Sequence, residues 1–272
     1  MAGDELAARK NDHLDIVLDP SRTKRNGSTG FAAFAFEHCA LPELHLQQIN
    51  LGTTFLGCPL RAPLLISSMT GGPAQAATIN RHLAEAAQAL GIALGVGSQR
   101  IALETGTDHG LGVPLVVKEV GAGISAAMVR HLVAASVTVI DVAGAGGTNW
   151  VTVEAQRART PAQKQAALAF ADWGIPAAEA LREVHQACLG TPLIASDGIR
   201  DGVDLAKAIR LGGDLVGQAP AALPGALRSS KAVIEHFNVI IEQLRIDCFR
   251  TGSADLTAPR QARVRSPAQP PL

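Results

Sequence analysis

Residues 192–223 read PLIASDGIRDGVDLAKAIRLGGDLVGQAPAAL, and this stretch decides the fold. Leu193, Ile194 and Ala195 form an apolar run short enough for a strand buried on both faces. Ser196-Asp197-Gly198 breaks that run at the strand's C-terminal end. Val203, Ala206, Ile209 and Arg210 follow at helical spacing, and Leu211-Gly212-Gly213 stops the helix. Asp214, Leu215, Val216 and Gly217 begin a second buried strand. In α/β barrels the loops after the last two strands often form a phosphate site, because glycine lets backbone N–H groups approach an anion. Gly198 with Arg200, and Gly217 with Ala219, are placed for that task, with plain turn and cap duty as the alternative.

Bulk properties narrow the class. The 272 residues are 47% hydrophobic, with 24 acidic and 24 basic side chains, which fits one sizeable globular domain. A net charge near zero gives no global argument for nucleic acid or a membrane surface. Cys39, Cys58, Cys188 and Cys248 lie far apart without C-x-x-C spacing, which argues for reduced thiols rather than disulfides or zinc. No apolar run approaches membrane-span length, and MAGDELAARKNDH at 1–13 carries no signal-peptide core. The expectation is a cytoplasmic protein with no membrane or nucleic-acid partner.

Outward from the deciding stretch, the same grammar repeats. Leu64–Ile66 is a strand ending in Ser67-Ser68-Met69-Thr70-Gly71-Gly72. A helix over 75–90 and a strand over 92–96 follow, the strand ending in Gly97-Ser98-Gln99-Arg100. Leu115–Val117 ends in Lys118-Glu119, and a helix over 125–135 leads to a strand over 137–142 with Gly144, Gly146, Gly147 and Thr148 beyond it. Residues 149–176 look like an insertion, 177–188 a helix, and about 225–247 a long amphipathic helix. Polar residues confined to strand C-termini signal a parallel α/β fold with its site on one rim. The fold class is therefore α/β, a TIM (β/α)8-type barrel that is incomplete, with six of eight strands recognisable, near 64, 92, 115, 137, 193 and 214. Residues 1–62 form a capping segment with small strands between Leu41 and Phe55, 63–256 the barrel, and 257–272 a disordered tail. Near the start, Lys10 and His13 share a helical face beside Arg9, by themselves a solvated charged face.

Six rim sequences together resemble the type 2, flavin-dependent isopentenyl diphosphate isomerases. They are RKNDH (9–13), PLLISSMTGG (63–72), GVGSQR (95–100), VPLVVKEVGAGIS (113–125), IDVAGAGGTNW (140–150) and IASDGIRDGVDLAKAIRLGGD (194–214). The resemblance implies a (β/α)8 barrel that interconverts isopentenyl and dimethylallyl diphosphate with FMN, reduced by NADPH, and Mg2+. Reduced FMN is the expected acid and base, so no side chain is assigned as catalytic. An isolated alkene is a poor base, and a reduced ring beside it supplies a proton and steadies the cation. By the same resemblance Ser67, Ser68, Met69 and Thr70 line the FMN ring and ribityl chain. Ser98 touches flavin and substrate, Gln99 and Arg100 reach substrate, and Arg9, Lys10 and His13 close over the diphosphate. Lys118 sits at the flavin N1/O2 edge and Thr148 near the ribityl chain or phosphate, which Gly198, Ile199, Arg200, Ala219 and Pro220 hold. The family also implies a homo-oligomer, tetramer or larger.

The chain departs from that family in two places. Only thirteen residues, 101–113, separate Arg100 from Pro114, whereas one βα unit needs about 30. Two central units are missing, and with them the family's metal-binding Glu, so no residue here is assigned to a metal. Pro220 also removes one backbone N–H from the phosphate site. Either the remaining strands close into a smaller, overpacked barrel or the sheet stays open with two edges. Both outcomes predict lower stability. Two other functions stand beside the isomerase. One is an impaired deletion variant that retains only partial flavin and phosphate binding. The other, an FMN barrel that oxidises a hydroxy acid or a dihydropyrimidine, is disfavoured because no strand end carries a His suited to taking a hydroxyl proton.

Overall fold

Parallel strands form at all six of the expected places. The computed structural model describes residues 9, 12–19, 27–69, 74–96, 116–257, 260 and 262–265. A helix over 12–18 (α1) leads to β1 (Ala35–Phe36) and an antiparallel hairpin of β2 (Thr53–Phe55) and β3 (Cys58–Leu60). Then come β4 (Leu64–Ile66), α2 (Ala74–Leu90), β5 (Ala93–Leu94), β6 (Val116–Lys118), α3 (Ala126–Ala134) and β7 (Val139–Asp141). Helices α4 (Trp150–Gln156), α5 (Pro161–Leu168) and α6 (Ala177–Ala187) precede β8 (Leu193–Ser196). The rest is α7 (Gly202–Arg210), β9 (Leu215–Gln218), α8 (Leu223–Ala226), α9 (Ser230–Arg250) and β10 (Val264–Arg265).

The six parallel strands lie in the order β5-β4-β9-β8-β7-β6, a curled part of a barrel with β5 and β6 as its edges. Of the two outcomes weighed above, the open sheet is the one seen among the described residues, where β5 and β6 do not pair. Central strands β8 and β9 are buried along their whole length, which explains their unbroken apolar runs. Alternate side chains face opposite ways. Val139, Ile194 and Leu215 point to the inner face and pack with Phe55 and Leu60 of the hairpin. Ile140, Leu193, Ala195 and Val216 belong to the larger core that also holds residues of α2, α7 and α9. The hairpin thus plugs the inner face, and it lies later in the chain than the small strands expected between Leu41 and Phe55, because the turn falls at Leu56-Gly57.

Local signals set the helix ends. Asp201 Oδ1 accepts from the Val203 and Asp204 N–H groups at 3.0 and 2.8 Å and starts α7. The supposed insertion 149–176 is not irregular: it holds α4 and α5. Asn149 caps α4, and a Thr160–Gln163 capping box with Pro161 in the first turn starts α5. The long helix begins at Ser230 rather than 225, because Pro224 lies in the separate short α8 and Ser229 caps α9. The tail, expected to be disordered, contributes β10, which pairs with β1 through Ala35↔Arg265 and Phe36↔Val264. Arg210 Nε donates to the Ala262 carbonyl at 2.7 Å and Arg260 pairs with Asp214 at 2.8 Å, so polar contacts hold a segment whose composition looked unstructured.

Phe237 is fully buried where α9 meets the core. Phe237→Ala is expected to cost about 3–5 kcal/mol, read as a fall in the urea midpoint at unchanged slope.

Candidate active site

Three adjacent strand ends meet in one charged triangle. The pairing of β6 with β7 sets Lys118 beside Asp141, and β8 brings Ser196 alongside. Lys118 Nζ donates to Ser196 Oγ at 2.8 Å and lies 3.2 Å from Asp141 Oδ2. Ser196 Oγ donates to Asp141 Oδ1 at 2.6 Å, and the Ala143 N–H adds a bond to the same oxygen at 3.3 Å. Asp141 is only 1% exposed. Burial pushes its carboxyl above the usual range, while Lys118 and the Ser196 hydroxyl pull the other way. An ammonium has three donors, and two partners account for two of them, which leaves one for a ligand.

Next to the triangle, three loops converge on Asp197. Its Oδ1 accepts from the Thr148 N–H at 2.8 Å and from the Gly198 N–H at 3.0 Å. Asp197 has φ 68° and Gly198 φ 70°, two successive left-handed residues at the turn that carries the Gly198 N–H. The approach is tight: a Cβ on Gly147 would collide with the carboxylate, and one on Gly121 would lie 2.6 Å from Asp197 Oδ2. Desolvation pushes the Asp197 carboxyl up to about 6, against the pull of the Thr148 N–H, Lys118 and the Gly198 N–H, with Asp141 adding a smaller upward push. On the preceding loop, Glu119 Oε2 accepts from Gly121, Ala122 and Gly123 at 2.7, 2.5 and 3.0 Å.

At the same C-terminal rim, just past β4, Ser67 is 4% exposed, and among the described residues its Oγ finds no hydrogen-bond partner. Only glycine fits at 217 beside it, since a Cβ there would collide with that hydroxyl. Ser68 and Met69 are partly buried, with Met69 against the core. Gln218 is buried, donates to the Ile199 carbonyl at 3.0 Å and meets His236 Nε2 at 2.5 Å, so it fixes Ile199. Burial pushes the His236 ring below its ordinary range. A neutral ring donating through Nε2 to Gln218 Oε1 is consistent with that contact. Arg200 is turned away from the nest: Nε and Nη2 grip Asp204 at 2.7 and 3.1 Å. Ala219 and Pro220 start the short helical turn after β9.

The N-terminal cations meet a residue that sequence reasoning missed. Glu154 of α4 accepts from Arg9 at 2.7 Å and contacts His13 Nε2 at 2.8 Å, and Arg157 reaches its other oxygen at 2.9 Å. These hydrogen bonds outweigh the opposing burial and pull the Glu154 carboxyl down to about 2. The His13 ring packs edge-on against Trp150 at 5.1 Å. Glu154 sits three residues before Arg157 inside the stretch read as an insertion, so a helix assignment there was the signal that could have found it. Lys10, Thr70, Ser98, Gln99 and Arg100 lie outside the described residues.

The profile of the FMN-dependent dehydrogenase family matches residues 107–266. The isopentenyl-diphosphate delta-isomerase of Stutzerimonas stutzeri (strain A1501) is 52% identical, with 97% of this chain and 98% of that protein covered. That of Cronobacter sakazakii (strain ATCC BAA-894) is 47% identical with the same coverage, and that of Synechococcus sp. is 38% identical over 98% of each chain. The first alignment runs over 340 positions against 272 residues here, so at least 68 positions of that relative (340 less 272) face no residue of this chain. That gap is the size of two βα units of about 30 residues each. Among solved structures, a lactate oxidase of Pediococcus acidilactici gives a TM-score of 0.59 at 16% identity, covering 97% of this chain and 95% of its own. A mandelate oxidase mutant with (S)-mandelic acid gives 0.56 at 16% identity over 97% and 99%. At that identity the two oxidases establish the barrel fold alone.

Asp197 provides a pH readout. A carboxyl raised to about 6 in the folded state favours folding below its unfolded value of 3.8, and that contribution is lost as pH rises through about 6. In urea unfolding from about pH 4 to pH 7, the chain is expected to lose up to about 3 kcal/mol relative to Asp197→Asn, which lacks the titration.

Proposed function

The chain belongs to the flavin-dependent isopentenyl-diphosphate delta-isomerase family, and from that premise we propose how its own residues serve the reaction. It is an isomerase of isoprenoid biosynthesis that interconverts isopentenyl and dimethylallyl diphosphate with FMN. The observation that carries the residue assignment is the Lys118–Asp141–Ser196 triangle at the strand ends.

The rim fits FMN in three respects: a pair of N–H groups already shaped for an anion, a buried Ser67 hydroxyl with no partner among the described residues, and the glycine at 217 that leaves that hydroxyl room. When bound and reduced, FMN supplies the proton exchanged with the five-carbon unit and an electron-rich ring beside the cation. The triangle fixes Lys118 at the rim; at the N1/O2 edge of a bound flavin it would favour a negative ring without reorganising. Ser67, Ser68 and Met69 line the ring and ribityl chain, with Thr70 and Ser98 assigned the same duty. Thr148, Gly198, Ile199, Ala219 and Pro220 surround the phosphate, and Arg200 acts there by holding the loop to Asp204.

Arg9 and His13, with Lys10, grip the diphosphate, joined by Gln99 and Arg100. In the structure Glu154 holds the first two, so the incoming diphosphate must exchange with that carboxylate or share its cations. NADPH is the proposed reductant and Mg2+ the proposed counter-ion of the diphosphate. Among the described residues no group of three or more His, Cys, Asp or Glu side chains comes together. These residues therefore do not form a Mg2+ cage of their own. A homo-oligomer, tetramer or larger, is supported by the exposed Leu168, Phe170 and Trp173, an apolar surface suited to a subunit contact. Four free cysteines support a cytoplasmic setting, and no described helix is long and apolar enough to cross a membrane.

Incubation with FMN, NADPH, Mg2+ and isopentenyl diphosphate is expected to yield dimethylallyl diphosphate. Bound flavin without product selects the impaired variant, and flavin bleaching by a hydroxy acid selects an oxidase. Lys118→Met is expected to lower kcat by about 100-fold or more with little change in KM, as loss of one preorganised charge does. An unchanged kcat would remove Lys118 from the assignment.

A further inference from the structure

We propose that Asp197 is a built-in competitor for the phosphate of FMN: its carboxylate fills the backbone nest that the phosphate needs. The inference rests on the flavin reading of the rim and concerns a residue that reading leaves without a role. Two N–H groups from different loops, those of Thr148 and Gly198, converge on one oxygen of this side chain at 2.8 and 3.0 Å. A carboxylate oxygen there stands in for a phosphate oxygen, which shows that the nest accepts negative charge. It also shows that both donors are already taken.

Two further observations set this apart from an ordinary turn. Asp197 adopts φ 68°, the left-handed region that glycine tolerates far better than a side chain bearing a Cβ. The loop thus carries a carboxylate where the backbone favours glycine. The surroundings are also close-fitting on two sides, where Gly147 and Gly121 lie directly against the carboxylate. The charged neighbours are Lys118 from β6, which attracts it, and Asp141 from β7, which repels it. A phosphomonoester entering this nest meets a fixed like charge, which weakens binding unless Asp197 swings out or takes up a proton.

Full-length wild type, Asp197→Asn and Asp197→Gly are titrated with FMN and with riboflavin, which lacks the phosphate, by flavin fluorescence. Asn keeps the acceptor oxygen and tolerates the left-handed backbone, and Gly removes side chain and strain together, so at least one variant should fold. The expected result is FMN binding tightened about tenfold or more in both variants with riboflavin unchanged. FMN binding gained only in the variants supports the proposal equally. FMN affinity unchanged or weaker in the folded variants, with riboflavin still bound, overturns it and leaves the flavin reading standing. Failure of all three proteins to bind either flavin overturns both.

Discussion

Two-sided burial of the central parallel strands β7, β8 and β9 is the constraint on which the rest depends. A strand covered by the hairpin on one face and by helices on the other has no place for a polar side chain along its length. Polar groups are therefore driven to the C-terminal ends, where Lys118 of β6 is paired with Asp141 of β7 and both reach Ser196, two residues past Asp141's partner on β8. The triangle they form is costly to bury and is tolerated because every member has partners at hydrogen-bond distance. It holds a cation at the rim of the barrel, where that fold places its chemistry.

Around the triangle, carboxylates organise backbone. Glu119 gathers three consecutive N–H groups, Asp197 bridges two loops and Asp201 starts a helix. Each satisfies donors that a glycine-rich loop would otherwise leave bare. The rim is thus shaped for anions by residues that are themselves anionic. Glu154 follows the same pattern at the N-terminal edge, where it gathers Arg9, His13 and Arg157 ahead of any substrate.

Much of this was legible in the chain. Leu193–Ser196 and Leu215–Gln218 announced themselves as apolar runs ended by glycine, and Lys118 was readable as a rim residue because it closes such a run. The open sheet could be posed but not chosen, since the thirteen residues after Arg100 do not say which edges meet. Glu154 was missed because α4 has no strong apolar stripe and begins with a cap set by Asn149. The Asp197 contact to Thr148 joins residues 49 apart in sequence, and no local pattern encodes it. The strand β10 was missed for a related reason: its partner is β1, and composition alone cannot see a pairing of that span.

That last pairing has a bearing on how the chain is made. Ala35 and Arg265 are 230 positions apart, so their contact waits until the whole stretch between them has left the ribosome. The hairpin that plugs the sheet is synthesised before every strand it will cover, and needs no threading. Assembly therefore has a natural sequence, with the plug present from the outset and the strap from 262 to 265 fastening β1 and Arg210 at the close.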